Sequence, residues 1–387
     1  MTFPLADRVR DLPPYLFADL DKKKAALQAK GINLISLSIG DPDQPTPAPI
    51  VEAMGTAIRR PAYHQYPSYI GAHAFRQAAC DWIERHYRAA FSPEEECIAL
   101  IGSKEGIAHF PLAFLNPGDI ALLPDPGYPV YNTSTQFCGA VPYYLPLRAE
   151  HGFLPSFREI PADIAARARI LFLNYPNNPT AACATRTFFA EAVAFARAHR
   201  LCIVHDAAYM EIFFDNERPP SIFEVEGARD VAIEFHSLSK TFNMTGWRIG
   251  FAVGHQSLVS GLAKIKTNVD SGVFTAVQDA GVTALTIAAP TVESIRASYQ
   301  HRRDRFVDRL RKGGWDVAVP KATFYLWTRV PTSESSTTFV TRIMEQAGVI
   351  LTPGVGFGAH GEGYVRFTLT ADADRLEEAA DRIARVL

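Results

Sequence analysis

Cysteine is scarce and unpatterned in this sequence. Five occur in 387 residues, Cys80, Cys97, Cys138, Cys183 and Cys202, widely spaced and with no C-x-x-C. An odd, scattered set supplies neither a disulfide framework nor a zinc-ligand spacing, and reads as reduced thiols in a cytosolic protein. Long apolar runs are missing too, and none approaches the roughly 20 residues needed to span a bilayer. The opening Met1-Thr2-Phe3-Pro4-Leu5-Ala6-Asp7-Arg8 has no apolar h-region, so no secretory signal is expected and the location expected is cytoplasmic. Neither sign of charge prevails: 39 Lys plus Arg face 41 Asp plus Glu, a net charge of −2. That balance removes the electrostatic case for a nucleic-acid or anionic-membrane partner. The eleven histidines show no H-E-x-x-H or similar spacing, so no metal site is expected.

What is present is ordinary globular material, 48% hydrophobic and 21% charged. The length suggests two or three domains, and a chain this long buries enough surface to fold without disulfides or a structural metal. Short apolar runs rich in β-branched residues recur at 97–101, 120–123, 141–145, 170–174, 201–205, 231–236 and 249–253. Most are continuous rather than alternating, as in strands buried on both faces. Helical patterns lie between several of them, clearest at 188–199, where Phe188, Phe189, Ala192, Val193 and Ala196 share one face. Strands alternating with helices predict an α/β fold, a mostly parallel seven-stranded sheet with helices on both faces. Only twelve residues separate 231–236 from 249–253, too few for a comfortable crossover helix, so the last strand is predicted to enter antiparallel. After Gly254 two long helical stretches are predicted, 256–286 and 291–313. Strands at 324–330 and 364–369 and helices at 337–347 and 372–386 then suggest a smaller α+β domain. The expected division is an N-terminal arm and part of the small domain at 1–49, a large domain at 50–285 and the small domain at 286–387.

Four local motifs fall at predicted strand ends. In Ser237-Leu238-Ser239-Lys240-Thr241-Phe242-Asn243-Met244-Thr245-Gly246-Trp247-Arg248, a lysine follows an apolar strand. Near apolar walls and other cations its pKa falls and it can form a Schiff base, while the hydroxyls and Arg248 suit a phosphate. Gly102-Ser103-Lys104-Glu105-Gly106 opens a helix directly after the first strand, where backbone N–H groups bind phosphate. Asn174-Tyr175-Pro176-Asn177-Asn178-Pro179-Thr180 holds an Asn extended before Pro, its amide aimed at the crevice. In His205-Asp206-Ala207-Ala208-Tyr209 a carboxylate follows a buried strand, and a cationic ring nitrogen would partner it. Alone, each motif has a plainer reading: solvated loop, N-cap or turn. Together they fit one ligand bearing a phosphate, an aldehyde, a phenolic oxygen and a ring nitrogen, which is pyridoxal 5′-phosphate. By contrast Gly354-Val355-Gly356-Phe357-Gly358 lacks strand–helix context and is expected to be a flexible loop.

On these motifs the sequence resembles the fold-type-I pyridoxal-phosphate aminotransferases of class I/II, over nearly the whole chain. Ile39-Gly40-Asp41-Pro42, Tyr66-Pro67-Ser68-Tyr69-Ile70-Gly71, Pro124-Asp125-Pro126-Gly127-Tyr128-Pro129 and Tyr364-Val365-Arg366-Phe367 add to the likeness. The resemblance implies Lys240 as the Schiff-base lysine, with Asp206 at the pyridine nitrogen and Tyr209 beside them in the catalytic set. It implies Asn178 and Tyr209 at the ring's phenolic oxygen and Tyr128 on the ring face. Ser103, Lys104, Ser237, Ser239 and Arg248 would hold the phosphate, joined by Tyr66 from the second subunit of a homodimer. Arg366 would take the substrate α-carboxylate beside Gly40. Within the family the likeness is greatest to the enzymes acting on LL-diaminopimelate, with 2-oxoglutarate as amino acceptor. There the residues matching Tyr15 and Lys104 approach substrate, as does a partner asparagine matched to Asn268, so the substrate set becomes Tyr15, Gly40, Lys104, Tyr128, Asn178, Asn268 and Arg366. Two positions depart from the pattern. Ala181 replaces the usual glycine after Asn-Pro-Thr, and Tyr69 and Ile70 lie where some of these enzymes carry a glutamate. Other amino donors (aspartate, alanine, aromatic or N-succinyl-diaminopimelate) and lyase chemistry stay open on the sequence.

Overall fold

The computed structural model describes residues 3–10, 12, 29, 31–287 and 289–387. Seven strands form the main sheet: β2 Cys97–Leu100, β3 Ile120–Asp125, β4 Val141–Pro146, β5 Ala168–Asn174, β6 Cys202–Asp206, β7 Ala232–Ser237 and β8 Gly250–Gly254, with β1 Ile35–Ser36 lying elsewhere. Their order is β2-β8-β7-β6-β5-β3-β4. β8 runs antiparallel to both neighbours, as the short connection requires, and the other pairs are parallel. Every residue of β2, β3, β7 and β8 is buried, which explains their unbroken apolar runs. The parallel strands all end on one edge, where open α/β sheets bind ligands. Apolar cores lie on both faces, one containing Phe75, Phe189 and Phe251 and the other Phe110, Phe172 and Phe235.

Local chemistry sets the helix ends. The helix Arg186–His199 starts where the Thr185 side chain accepts from Phe188 N and stops at left-handed Arg200. It buries Phe188, Phe189, Ala192, Val193 and Ala196, the face read from the spacing.

A third core gathers C-terminal residues such as Trp315, Phe324, Phe339, Phe367 and Ile383 together with Ile35 and Leu37. β9 Tyr325–Arg329, β11 Thr352–Pro353 and β12 Tyr364–Thr368 form an antiparallel sheet in the order β11-β12-β9. β10 Val349–Ile350 pairs in parallel with β1. The stretch after β1 then touches both regions: Asp43 is ion-paired with Arg302 at 2.7 Å, and Thr46 donates to Asn243 O.

Two expectations are corrected. The stretch 256–286 is two helices, Gln256–Val269 and Thr275–Thr286. Asp270 adopts an extended conformation and accepts from Gly272 N, and Gly272 has φ +85°, a backbone state that no helix propagates. The glycine cluster is not a loose loop either. Gly354–Phe357 is a short 3-10 helix with Phe357 buried, and Phe357 O accepts from Gly127 N at 2.8 Å.

Candidate active site

At the strand ends lies a cavity of about 500 Å³. From β2 comes the turn to helix Ser103–Phe114, with Gly102 at the N-cap. Ser103 and Lys104 therefore present the first free N–H groups of a helix to the cavity. Gly102 has φ +73°, and a Cβ there would meet the Arg248 guanidinium. Glu105 braces the turn from behind, accepting from Ile101 N at 3.1 Å and pairing with the buried Lys266 ammonium at 2.9 Å. That ammonium also pairs with Asp270, so one cation sits between the two carboxylates of the Glu105, His109 and Asp270 cluster. From the far side Ser237 and Ser239 line the cavity, with Arg248 reaching in from left-handed backbone. Two hydroxyls, a helix N-terminus, Lys104 and Arg248 thus converge on one end, a setting for a dianion.

Lys240 lies beyond them on the short helix Leu238–Thr241 and donates to Gly40 O at 2.9 Å. Burial lowers its pKa to about 8; Arg248 and Arg366 push the same way, against Asp41. Its amine is therefore available as a nucleophile and base near neutral pH. Asp206 ends β6 and is buried. Burial raises its pKa, countered by a hydrogen bond from Tyr131, by Ala208 N and by the charges of His205 and His236. Tyr131 Oη donates to Oδ2 at 2.8 Å, while the approach of Ala208 N to Oδ1 is longer, 3.3 Å. Asn174 fixes this corner, donating to Asp206 O and accepting from Asn178 N, each at 2.8 Å.

The opposite wall belongs to the C-terminal sheet. Arg366 on β12 is buried, donating to Asn178 Oδ1 at 2.7 Å and to Ser38 O at 2.6 Å. Among the described residues its Nε finds no partner, an orphaned donor in a buried cation. The guanidinium lies 4.2 Å from the Tyr325 ring centroid and 4.6 Å from that of Phe357. Tyr325 shares a 2.9 Å hydrogen bond with Tyr209, and a Cβ on Gly40 would meet its hydroxyl.

Pyridoxal 5′-phosphate fits these residues. The phosphate end has its donors, Asp206 offers a buried carboxylate, and Lys240, with its lowered pKa, lines the same cavity. Tyr128 borders the same space, 5.9 Å from ring centroid to the Lys104 ammonium.

The structure brings together Gly40, Ser103, Lys104, Tyr128, Asn178, Asp206, Tyr209, Ser237, Ser239, Lys240, Arg248 and Arg366. Two others do not join them, and the position of a third is not described. Tyr66 is 88% exposed and outside the cavity. Asn268 is exposed, its amide donating to Lys264 O of its own helix. Tyr15 lies outside the described residues. Sequence reasoning missed Tyr131 and Tyr325. Tyr131 follows Tyr128 by three residues, one helical turn, and that spacing could have revealed it. Tyr325 carried no local signal, because only the fold sets its strand beside Gly40.

Comparison with known proteins agrees over almost the whole length. The family described as aminotransferase class I and II matches residues 32–383. An LL-diaminopimelate aminotransferase from Nitratidesulfovibrio vulgaris (strain DSM 19637 / Miyazaki F) is 54% identical over 386 residues, 99% of each chain. Another from Aquifex aeolicus is 53% identical over 381 residues, 98% of each. Among solved structures, substrate-bound BacF from Bacillus subtilis superposes with a TM-score of 0.96 at 36% identity, covering 100% of this chain and 98% of that one.

Proposed function

The chain belongs to the class I and II aminotransferases, and on that premise we propose that it moves an amino group between LL-2,6-diaminopimelate and 2-oxoglutarate, with pyridoxal 5′-phosphate as cofactor. The observation that carries the substrate is the 53–54% identity to LL-diaminopimelate aminotransferases along essentially the full chain. The cavity carries the chemistry. Supply of tetrahydrodipicolinate-derived diaminopimelate places the enzyme in lysine and peptidoglycan-precursor biosynthesis.

Bound pyridoxal phosphate supplies an electron sink for the carbanion formed at the substrate Cα. The chain's own groups do the rest. Ser103, Ser237, Ser239, Lys104 and Arg248 neutralise and anchor the phosphate. Asp206 holds a proton on the ring nitrogen, which a buried carboxylate with spare acceptor capacity suits. Asn178 and Tyr209 serve the phenolic oxygen, and Tyr128 covers the ring face. Arg366, a cation lining the cavity, would grip the substrate α-carboxylate. Lys240 Nζ would remove the substrate Cα proton and hold it for return, a positioned transfer worth roughly 10²–10⁴-fold. Donor and acceptor use one site in turn, so the kinetics are ping-pong.

The working unit is a homodimer in which the exposed Tyr66 reaches the phosphate of the partner's cavity. Among the described residues no helix is long and apolar enough to cross a membrane, and all five cysteines are unpaired, which supports a reducing cytoplasm.

Measuring kcat/KM for LL-diaminopimelate, aspartate, alanine and phenylalanine with 2-oxoglutarate tests the reading. Diaminopimelate should lead, and lysine, lacking the distal carboxylate, should be a very poor donor. A tenfold advantage for any of the other three removes the substrate and leaves the family.

A further inference from the structure

Tyr131 has no part in the cofactor set above, yet its hydroxyl is the closest donor to the Asp206 carboxylate, 2.8 Å from Oδ2. The side chain is 1% exposed. Its ring stacks on Phe172 at 5.1 Å and meets Tyr128 edge-on at 5.8 Å. Both tyrosines occupy one turn at the start of helix Pro129–Phe137, Tyr128 at its N-cap. One turn thus delivers a ring to the cavity and a hydroxyl to the carboxylate behind it.

We infer that Tyr131 is a positioning residue for Asp206, its hydroxyl fixing the carboxylate's orientation and stabilising its anionic form toward the cofactor's ring nitrogen. This rests on the proposed cofactor chemistry and deepens it. The groups facing Asp206 are few. Among the described residues the other direct donor is Ala208 N at 3.3 Å, and His205 and His236 act from neighbouring strand positions, both bonded to Glu234. Burial works against the anion, and the tyrosine hydroxyl is the leading hydrogen bond opposing it. Without that hydroxyl the shared proton shifts from ring nitrogen toward carboxylate, and a less cationic ring accepts electrons from Cα less well.

The test is Y131F, which removes one oxygen and keeps the stacked ring. With the enzyme loaded with ring-15N pyridoxal phosphate, the nitrogen resonance should move from the protonated toward the unprotonated range. kcat should fall roughly 10- to 100-fold, the rate equivalent of a hydrogen bond to a charged group. KM for the amino donor and cofactor content should stay within about threefold, the scatter usual for context-dependent contacts. An unchanged 15N resonance with cofactor bound overturns the inference alone. A parent enzyme that binds no pyridoxal phosphate overturns the functional reading and this inference with it. Should Y131F fail to fold, 3-fluorotyrosine at position 131 keeps the packing and makes the donor more acidic. The 13C-labelled Asp206 carboxyl of the cofactor-free full chain should then titrate at lower pH than in the parent, and an unmoved titration overturns the inference.

Discussion

The two walls of the cavity are built in different ways. Ser103, Asp206, Ser237 and Lys240 sit at or just past the ends of strands in a single sheet, where backbone register fixes their spacing. Arg366, Tyr325, Ser38 and Gly40 come from β9, β12 and the segment after β1, which meet only when the C-terminal core closes. The first wall is preassembled by one sheet's ladder. The second depends on how two cores abut, through contacts such as Arg366 with Asn178 and Lys240 with Gly40 O.

The largest expected effect breaks the first wall. Lys240→Ala should lose at least roughly 10²–10⁴-fold of transamination, because among the described cavity residues no other amine is placed to move the Cα proton. Borohydride reduction and denaturing mass spectrometry should find cofactor fixed at Lys240 in the parent and none fixed in the variant. Arg366→Gln tests the second wall by itself. Removing a buried cation that grips a carboxylate should cost about 2–5 kcal/mol in kcat/KM for every amino donor, with the cofactor dissociation constant unchanged. Weaker cofactor binding in that variant would show that the walls are not separable.

Smaller effects sharpen the contrast. Tyr66→Phe should weaken cofactor retention by about 1–3 kcal/mol, the scale of a charged hydrogen bond, provided that the exposed ring serves a partner's phosphate. Sedimentation should find a dimer, and a fully active monomer would remove that role. The smallest effect is in pH. Burial disfavours the Lys240 ammonium, so below about 8 the cofactor-free chain carries the full cost of protonating it. Between about 8 and the ordinary 10.5 the unfolded chain binds more protons, so this contribution makes stability rise with pH. Cofactor capture, which needs the neutral amine, should accelerate with a midpoint near 8 in stopped-flow absorbance. A midpoint near 10.5 would mean that the wall does not desolvate the lysine.

Much of the first wall was legible because its residues announce themselves locally. Ser237-x-Ser239-Lys240, Ser103-Lys104 and Asp206 each follow an apolar run that can only be a buried strand. The antiparallel entry of β8 was legible for the same reason, from the length of one connection. The break between Val269 and Thr275 was not: Gly272 takes φ +85° where a Cβ would meet the Ser68 carbonyl, and that neighbour is about 200 residues away in sequence. The glycine cluster at 354–358 misled because glycine spacing alone does not show that Phe357 finds a buried seat and Gly127 a hydrogen-bond partner.

The sequence by itself determined the strands, the motifs at their ends that line the cavity and, through resemblance, the chemistry, because hydrophobic periodicity and motif chemistry act over a few residues. Only the tertiary structure decided that Tyr131 addresses Asp206, that Tyr325 meets Tyr209 and that Arg366 donates to Asn178 and to Ser38 O. Those facts are distances between groups from separate elements, and hydrogen bonds depend on tenths of an ångström that no spacing along a chain encodes.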